Sequence, residues 1–549
     1  MAERNEWTLD IGGMTCDHCA RTIDATLRRL PGVFESRTAY PEGRSHVIAE
    51  PLVGPEALAA AIAPKYRVTG HSSRPLRSES GVAYGEVDLA IVGGGSAAFA
   101  AAIRAADLGA KAVIIERGAL GGTCVNVGCV PSKTLIRAAE AVHRAGHPAF
   151  AGIRAQVERP DFGAVVKQKD ALVAELQKAK YWDVLATYPS VKLVQGNARF
   201  LSDGMLEVNS EPLRARKILL AMGAHPWAPP IPGLAETPHL TSTEALALTE
   251  LPRSLVVVGG SAVGLELAQL FARIGAKVTV LEALPRIVPS EDAEVSDALA
   301  GYLREEGMEI HSSVAVQRVS GNAGAYRVKV EEGGRAVTFE AEQLLVATGR
   351  RPNTSGVGLE EAGIRLGRKG EVVVDGHLET SRPGIYAAGD VIGDPAFVYV
   401  AAYAGSLAAE NALQGNARRY DLGVLPRVTF TDPAVASVGL TEAQAREQRI
   451  AVAVSKLPLA YVPRSIAARD TRGFIKLVAD EKTNLLVGAH ILAAEAGDII
   501  QQPAMAIRFG IRIDELAAML HPYLTLSEGI KLASQTFKKD VAKLSCCAV

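Results

Sequence analysis

The chain has 549 residues, of which 48% are hydrophobic, and a formal net charge of −1 at pH 7. Its length predicts several domains of about 150 residues each, and a near-neutral chain without basic blocks is unsuited to a nucleic-acid partner. The N-terminus lacks the basic and apolar regions of a signal peptide, and the most apolar stretch, 89–103, is shorter than the ~20 residues that span a bilayer. We therefore expect a soluble cytoplasmic protein with no stable membrane association.

All six cysteines occur in close pairs: one near the N-terminus, one after the first glycine-rich segment and one near the C-terminus. In a reducing compartment, spaced cysteine pairs are typical of metal binding or catalysis rather than of structural disulfides. Two thiolates suit a soft metal ion, and two thiols also form a redox couple. The pairs are Cys16 and Cys19, Cys124 and Cys129, and Cys546 and Cys547.

Residues 5–70 are predicted to form a small α+β unit, with a strand at 7–11 and helices at 20–30 and 55–63. The following segment, 71–86, is polar and carries Gly, Pro and Ser without apolar periodicity, which predicts a linker.

The loop before the first predicted helix reads Gly13-Met-Thr-Cys16-Asp-His-Cys19. It resembles the motif of the heavy-metal-associated domain, which has a ferredoxin-like βαββαβ fold. The resemblance implies that Cys16 and Cys19 bind a soft ion such as Cu(I) or Hg(II), and Met14 is expected in the core rather than on the metal. A thioredoxin-like redox pair is disfavoured by the Gly-Met-Thr prefix, and half of a zinc site by the missing second pair.

From residue 87 the pattern becomes strand, glycine-rich turn, alanine-rich helix and strand, which predicts α/β layers around a parallel sheet. Gly93 permits a tight turn, Gly95 lets the backbone approach a pyrophosphate, and the small Ala98 lets helix and strand pack closely. The pyrophosphate would lie at the helix N-terminus, where free N–H groups favour anions. Glu116 ends the next strand, where an acid can bind ribose hydroxyls. This order predicts a dinucleotide site.

A second unit of the same kind begins at residue 254. Its turn contains Gly259, Ser261 and Gly264, and its second strand ends in Glu282. Ser261 replaces the middle glycine, which weakens the motif without abolishing it. Glu282 favours the free 2′-hydroxyl of NADH, whereas a 2′-phosphate prefers an arginine such as the nearby Arg286. Two units predict two nucleotides, and the choice between NADH and NADPH stays open.

Between these units lies Gly121-Gly-Thr-Cys124-Val-Asn-Val-Gly-Cys129-Val-Pro-Ser-Lys133. Two cysteines five residues apart at the start of a helix can close a disulfide, and a helix start lowers a thiolate pKa. The segment resembles the redox-active motif of the flavin disulfide reductases, the family of glutathione reductase and dihydrolipoamide dehydrogenase. The resemblance extends from about residue 87 to residue 537, and it includes Ala347-Thr-Gly-Arg350 and Tyr386-Ala-Ala-Gly389-Asp390.

This resemblance implies that hydride passes from a nicotinamide to FAD and on to Cys129, with Cys124 as the outward interchange thiol. It also implies an ion pair between Lys133 and Glu266 beside the flavin. The implied FAD contacts are Gly93, Gly95, Ser96, Ala97, Ala98, Glu116, Gly122, Thr123, Lys133, Gly389 and Asp390. The implied NAD(P)H contacts are Gly259, Ser261, Gly264, Glu282 and Gly349.

The C-terminal region departs from the glutathione and lipoamide enzymes. Those enzymes carry a catalytic His-Pro followed by a glutamate, and here the segment reads His521-Pro-Tyr523-Leu-Thr-Leu-Ser-Glu528. Alignment on the glutamate places Tyr523 at the catalytic position, whereas alignment on His-Pro places His521 there. We prefer the first alignment, in which His521 is a structural residue. A phenol with a pKa near 10 is a poor base, so a substrate that needs a strong thiol base is disfavoured.

Cys546 and Cys547 are followed by only two residues in the sequence. Oxidation or lipid attachment are alternative explanations for such a pair. In this family the C-terminal domain of one subunit covers the active site of the other. The resemblance therefore implies a homodimer with shared active sites, in which the tail passes a soft cation to Cys124 and Cys129 of the partner subunit.

Taken together, the chain is similar to the mercury-reducing members of the flavin disulfide reductases. This implies NAD(P)H-dependent reduction of thiol-bound Hg(II) to Hg(0) for mercury detoxification. Hg(II) would pass from the N-terminal pair to the tail pair and then to the central pair, with Tyr181 and the partner's Tyr523 beside the metal. A disulfide reductase with a fused metal domain and a non-enzymatic metal-sequestering protein are the alternatives. Tyr523 and the tail disfavour the first, and the intact redox motif disfavours the second.

The predicted fold class is α/β, with two Rossmann-like nucleotide-binding domains and an α+β dimerisation domain after the ferredoxin-like metal-binding domain. The predicted boundaries are 1–72 for the metal-binding domain, 73–86 for the linker, 87–229 and 351–425 for the FAD-binding domain, 230–350 for the NAD(P)-binding domain, and 426–549 for the dimerisation domain with its tail.

Overall fold

The computed structural model describes residues 4–15, 17–28, 30, 32–50, 53–76, 87–158, 160–201 and 205–544. The chain divides into two compact units, 1–85 and 86–549. Within the described ranges, no helix combines the length and the apolar character needed to cross a bilayer.

The first unit contains a four-stranded antiparallel sheet and two helices, with Leu9, Ile23, Val47 and Leu58 fully buried in its core. The strand order is second, third, first, fourth, which confirms the predicted βαββαβ fold. Its strands are Arg4–Gly12, Val33–Ala39, Arg44–Ala49 and Arg67–Leu76, and its helices are Asp17–Leu27 and Pro55–Ile62.

The last strand of this unit continues past the predicted domain boundary at residue 72. It pairs with the first strand as far as Leu76, and the backbone hydrogen bonds of this pairing order a segment that the sequence predicts as linker. Polar side chains are compatible with the strand because it lies at the edge of the sheet, with one side unpaired.

The second unit begins with the first glycine-rich segment, which lies at the centre of a five-stranded parallel sheet. The central strand is almost continuously buried, as expected for a parallel sheet covered on both faces. In spatial order the strands are Ile385–Ala387, Ala215–Leu220, Val87–Val92, Ala112–Glu116 and Val191–Gln195. A small antiparallel sheet follows, with strands Ala198–Phe200, Leu206–Val208 and Glu211–Leu213. The helices are Ser96–Asp107, Gly122–Val127, Cys129–Gly146, Phe162–Gln177, the π-helix Lys178–Trp182, Asp183–Leu185, the 3₁₀-helix Asp390–Ile392, and Val398–Gln414.

The second glycine-rich segment belongs to a separate four-stranded parallel sheet. In spatial order its strands are Glu309–His311, Lys277–Leu281, Ser254–Val258 and Gln343–Val346; its helices are Ser242–Ala247, Ala262–Ile274 and Ala293–Glu305. An antiparallel sheet of Ala315–Ser320, Tyr326–Glu332 and Arg335–Ala341 packs nearby. The chain is predicted to pass from the FAD-binding to the NAD(P)-binding domain near residue 230 and to return near residue 350. At these two places a two-stranded ribbon pairs Ala224–Pro226 with Arg350–Pro352.

The C-terminal part contains a five-stranded antiparallel sheet, in agreement with the predicted α+β domain. In spatial order its strands are Arg427–Thr429, Ala434–Gly439, Leu486–Ala493, Phe474–Asp480 and Val452–Pro458. Its helices are Glu442–Glu447, Leu459–Tyr461, Pro463–Ala468, Ala496–Ile499, Gln501–Phe509, Ile513–Ala518, Glu528–Gln535 and Val541–Lys543.

Candidate active site

The central cysteine pair lies on two consecutive helices. Cys124 is in the short helix Gly122–Val127, and Cys129 is the first residue of Cys129–Gly146. Gly128 joins the helices and allows the chain to fold back closely, because a Cβ at this position would lie 2.9 Å from the Thr123 carbonyl oxygen. Both thiols are half-buried and no disulfide joins them. The structure thus brings two thiols together at a helix N-terminus.

The two thiols differ in acidity. The pKa of Cys129 is lowered to about 7, chiefly by a hydrogen bond from Cys124 and also by the Lys133 ammonium, against the effect of burial. The same hydrogen bond raises the pKa of Cys124, as does burial. The N-terminus of a helix also favours a thiolate. Cys129 is therefore the first of the pair to become a thiolate, stabilised by the proton that Cys124 retains.

This asymmetry predicts how thiolate formation in the reduced protein depends on pH. Because the pKa of Cys129 is depressed, one thiolate should form as the pH rises through about 7, below the ~8.5 expected of an ordinary cysteine. The ultraviolet absorbance of the thiolate, titrated in reduced protein, measures this step. Replacing Cys129 by serine should remove it, and a titration step that persists in this variant would assign the low pKa to another group.

An ion pair lies one helical turn after Cys129. Lys133 Nζ is 2.7 Å from Glu266 Oε2, on the helix that follows the second glycine-rich turn. The other carboxylate oxygen, Oε1, accepts a hydrogen bond of 2.9 Å from the Phe430 N–H. Glu266 is buried at 6% exposure, so its charge requires both partners. The structure brings Lys133 and Glu266 together, as the family resemblance implies, and the pair links the two nucleotide-binding segments beside the dithiol.

Tyr181 lies next to the dithiol. It belongs to the π-helix Lys178–Trp182, a local widening that changes which side chains face the site. Its ring packs edge-on against Phe99, with 4.7 Å between ring centroids, and its hydroxyl lies near Ser96 and the thiols. Burial raises the pKa of Tyr181 and a hydrogen bond with Ser96 opposes this, while negative charge on the cysteine pair raises the pKa further. The phenol therefore keeps its proton beside the two sulfurs.

Two amide side chains that the sequence analysis did not single out hold the cysteine segment in place. Asn126 Nδ2 donates to the carbonyl oxygens of Leu120 and Gly122, at 3.1 and 2.9 Å. Gln177, at the end of the helix before Tyr181, donates to Leu120 O and to Asn126 Oδ1. Asn126 lies inside the recognised motif and could have been noticed. Gln177 gives no sequence signal, because only folding brings it to the motif.

The surroundings of the first glycine-rich turn fit a bound FAD. Gly93 has φ +114°, and a Cβ there would lie 2.3 Å from the Ala221 carbonyl oxygen, so only glycine is accommodated. The next helix begins after Gly95, which has no side chain to cap the first N–H groups and leaves them for an anion. At the end of the strand, Glu116 Oε1 accepts a hydrogen bond of 2.6 Å from the Gly118 N–H.

The opposite side of this site contains two half-buried charged groups. Asp390 lies 3.7 Å from Arg350, and burial raises the pKa of its carboxyl group. Arg350 Nε is buried and has no hydrogen-bond partner among the described residues. Buried polar atoms of this kind usually have a partner, so both groups fit a polar ligand such as the ribityl part of FAD.

The second glycine-rich turn repeats the first. Gly259 has φ +112°, and Ser261 starts the helix without capping its N–H groups through its side chain. Glu282 is buried and accepts hydrogen bonds of 2.7 Å from the N–H groups of Gly260 and Leu284. Its carboxylate therefore stabilises the turn itself, a role that the sequence analysis did not assign. The arrangement fits a nicotinamide nucleotide, and the exposed Arg286 lies nearby in the chain.

The C-terminal candidates lie on a different part of the second unit. Tyr523 follows the helix Ile513–Ala518 on an exposed segment, and its side chain is 55% exposed. His521 is half-buried, with Nδ1 3.2 Å from the Met519 carbonyl oxygen. Cys546 and Cys547 lie outside the described residues. The proposed roles of Tyr523 and the tail remain predictions.

In the first unit, Cys19 is half-buried in the first turn of the helix Asp17–Leu27, 3.6 Å from the Thr15 hydroxyl. Met14 packs against the hydrophobic core, which confirms that prediction. Cys16 lies outside the described residues, so the assignment of the pair as a metal site is also still a prediction.

Comparison with protein families matches three parts of the chain. Residues 87–405 match the pyridine nucleotide-disulphide oxidoreductase family, residues 425–534 match the dimerisation domain of that family, and residues 8–66 match the heavy-metal-associated domain. The second match supports a homodimer. Together they confirm the predicted fold class and the resemblances on which it was based.

Curated proteins similar to the chain include mercuric reductases. That of Staphylococcus aureus is 41% identical over 560 aligned residues, covering 99% of this chain and 100% of that protein. That of Streptomyces lividans is 48% identical and covers 84% of this chain and 98% of its own length. Among solved structures, the Cu(II) complex of the HOCl-induced flavoprotein disulfide reductase RclA from Escherichia coli is 31% identical, with a TM-score of 0.75 over 82% of this chain and 100% of that one.

Proposed function

Because the chain belongs to the mercuric reductases, within the pyridine nucleotide-disulphide oxidoreductase family, we propose that it reduces thiol-bound Hg(II) at Cys124 and Cys129. It is a flavoprotein oxidoreductase that uses FAD and NAD(P)H. The observation that carries the assignment of the site is the acidic dithiol one helical turn from the Lys133–Glu266 pair. The balanced reaction consumes one NAD(P)H, one proton and one Hg(II) dithiolate, and releases Hg(0), two thiols and NAD(P)⁺.

FAD and the nicotinamide nucleotide, when bound, supply two electrons as a hydride. The residues of the chain prepare the dithiol to bind the Hg(II) that receives them. Cys129 is held as a thiolate by Lys133 and by the Cys124 hydrogen bond, while Cys124 is the outward thiol that exchanges with incoming ligands. The protonated Tyr181 lies beside both sulfurs and can donate to a thiolate ligand. Two soft sulfurs at one place match the preference of Hg(II).

Delivery of the metal is the part of this proposal that extends beyond one subunit. Hg(II) captured at Cys16 and Cys19 would pass to Cys546 and Cys547, and then to the dithiol of the partner subunit. Each step is an exchange of one thiolate for another, so the ion need not leave sulfur for water. The exposed Tyr523 lies on the same C-terminal domain and would reach that site with the tail. A reducing compartment such as the cytoplasm would keep all three pairs reduced.

The decisive experiment measures oxidation of NADH and NADPH with Hg(II) in excess thiol, while a detector follows Hg(0) in the headspace. We expect Hg-dependent turnover with vapour, and the ratio of the two rates identifies the preferred nucleotide. Glutathione disulfide and lipoamide are assayed in parallel. Turnover on a disulfide without mercury vapour would contradict the proposal and identify a disulfide reductase with a fused metal-binding domain.

Removing the N-terminal domain should separate capture from catalysis. Deletion of residues 1–76 keeps the second unit complete, because that unit contains its own core. We expect unchanged turnover at saturating Hg(II) in excess thiol and slower turnover only when free thiol is limiting. The comparison is made at matched FAD content. A deletion variant that has lost all activity despite bound FAD would show that the domain takes part in catalysis.

A further inference from the structure

A short segment of the C-terminal domain runs along the helix that carries Glu266. The Phe430 N–H donates to Glu266 Oε1, and the backbone of Asp432 exchanges two hydrogen bonds of 2.8 Å with the Gln269 side chain. The Asp432 carboxylate also accepts a hydrogen bond of 2.9 Å from Arg273 Nη1. Glu266, Gln269 and Arg273 are spaced by three and four residues and so share one face of the helix. The segment is therefore fixed to this helix over two turns.

Phe430 is the residue at which this segment reaches the active site. Besides its N–H contact with Glu266, its ring lies under the Lys133 ammonium, with 4.7 Å from Nζ to the ring centroid. One residue thus contacts both members of the ion pair, through its backbone on one side and its side chain on the other. Lys133 and Phe430 also line a cavity of about 200 Å³. The aromatic ring therefore covers one side of the Lys133 ammonium.

We propose that Phe430 is a positioning residue that holds the Lys133 ammonium against Glu266 and beside the redox centre. A flexible lysine can swing towards solvent, and its side chain is 34% exposed here. A carboxylate at 2.7 Å fixes the ammonium on one side, and the negative face of an aromatic ring restricts it on another. The C-terminal domain would in this way set the charge environment of the electron-transfer site in its own subunit.

The inference rests on the proposed route of electrons through FAD to Cys129, but not on mercury as the acceptor. Its test therefore leaves Hg(II) out. Phe430→Leu removes the ring and keeps the N–H bond to Glu266, whereas Phe430→Tyr keeps both. The measurements are the visible absorption spectrum of bound FAD and the stopped-flow rate at which NAD(P)H bleaches it.

We expect Phe430→Leu to alter the FAD spectrum and to slow bleaching about fivefold, the scale of one partly exposed cation–π contact. Phe430→Tyr should restore both properties. In a Lys133→Met background, the change Phe430→Leu should have no further effect, because the group that the ring positions is gone. Equal effects of Phe430→Leu in the presence and absence of Lys133, or a failure of tyrosine to restore the rate, would overturn the proposal.

Phe474 offers a matched control in the same domain. Its ring lies 4.5 Å from Lys456 Nζ, in a contact of the same type that does not involve the ion pair. Phe474→Leu removes buried area and should lower the melting temperature, but it should leave the FAD spectrum and the bleaching rate unchanged. If Phe474→Leu slowed bleaching as much as Phe430→Leu does, general loosening of the domain would explain both, and the proposal would fail. Absence of Hg(0) formation in wild-type enzyme would contradict the proposed function without affecting this comparison.

Discussion

Serine at Cys124 or at Cys129 is expected to reduce Hg(II)-dependent turnover by at least ~1000-fold, and the double variant should be about as inactive as either single one. The two sulfurs act as a unit: Cys124 donates the hydrogen bond that makes Cys129 acidic, and Hg(II) requires both as ligands. A hydroxyl is a hard ligand with a far higher pKa than a thiol, so serine replaces neither function. Turnover is measured as NAD(P)H oxidation together with Hg(0) release.

The variants must retain their cofactor for this result to be informative. Neither cysteine side chain is needed for the tight turns at Gly93 and Gly259, so FAD should bind and NAD(P)H should still bleach it. Cys19→Ser serves as a matched control, since it removes a thiol from the first unit and should keep turnover at saturating Hg(II). A serine variant within tenfold of the wild-type rate would mean that another pair of thiols reduces the metal.

The fold was largely predictable because its determinants are local. The tight turns at Gly93 and Gly259 require glycine, and each lies between an apolar strand and a helix, in the predicted order. The polar segment 73–76 was predicted as linker because it lacks apolar periodicity. It is instead an edge strand, since the first strand supplies its backbone hydrogen bonds, and no side-chain pattern is needed for that pairing.

The active site was predictable only in part. The cysteines and Lys133 lie within one short motif, so their proximity follows from helix geometry. The contact with Glu266 could be expected only from family resemblance, since 133 residues separate the pair. Phe430 and Gln177 were missed because tertiary packing alone brings them to the site, and the π-helix at Tyr181 was missed because periodicity analysis assumes the ordinary α-helical repeat.

Alanine at both Cys546 and Cys547 should lower turnover on Hg(II) held by excess thiol by about 100-fold, in the range reported for loss of a group that positions a reactant. Reduction of FAD by NAD(P)H should be unchanged, because it precedes metal delivery. The physical reason is that Hg(II) in excess thiol is fully coordinated by sulfur and moves only by thiolate exchange. Ser545→Ala is the control in the same tail. Unchanged turnover in the double variant would rule out the tail as carrier.

Mixed dimers decide whether the tail serves its own subunit or the partner. Subunits with Cys124→Ser and Cys129→Ser are co-expressed with subunits carrying Cys546→Ala and Cys547→Ala, and the heterodimer is isolated by two affinity tags. Delivery between subunits leaves one complete site, with an intact dithiol on one chain and an intact tail on the other, so about half of the wild-type turnover per dimer should return. Delivery within a subunit leaves no complete site, and the heterodimer would then be as inactive as its parents. Recovery of activity would mean that dimerisation through residues 425–534 is part of the catalytic arrangement, since each dithiol would receive its metal from the other chain.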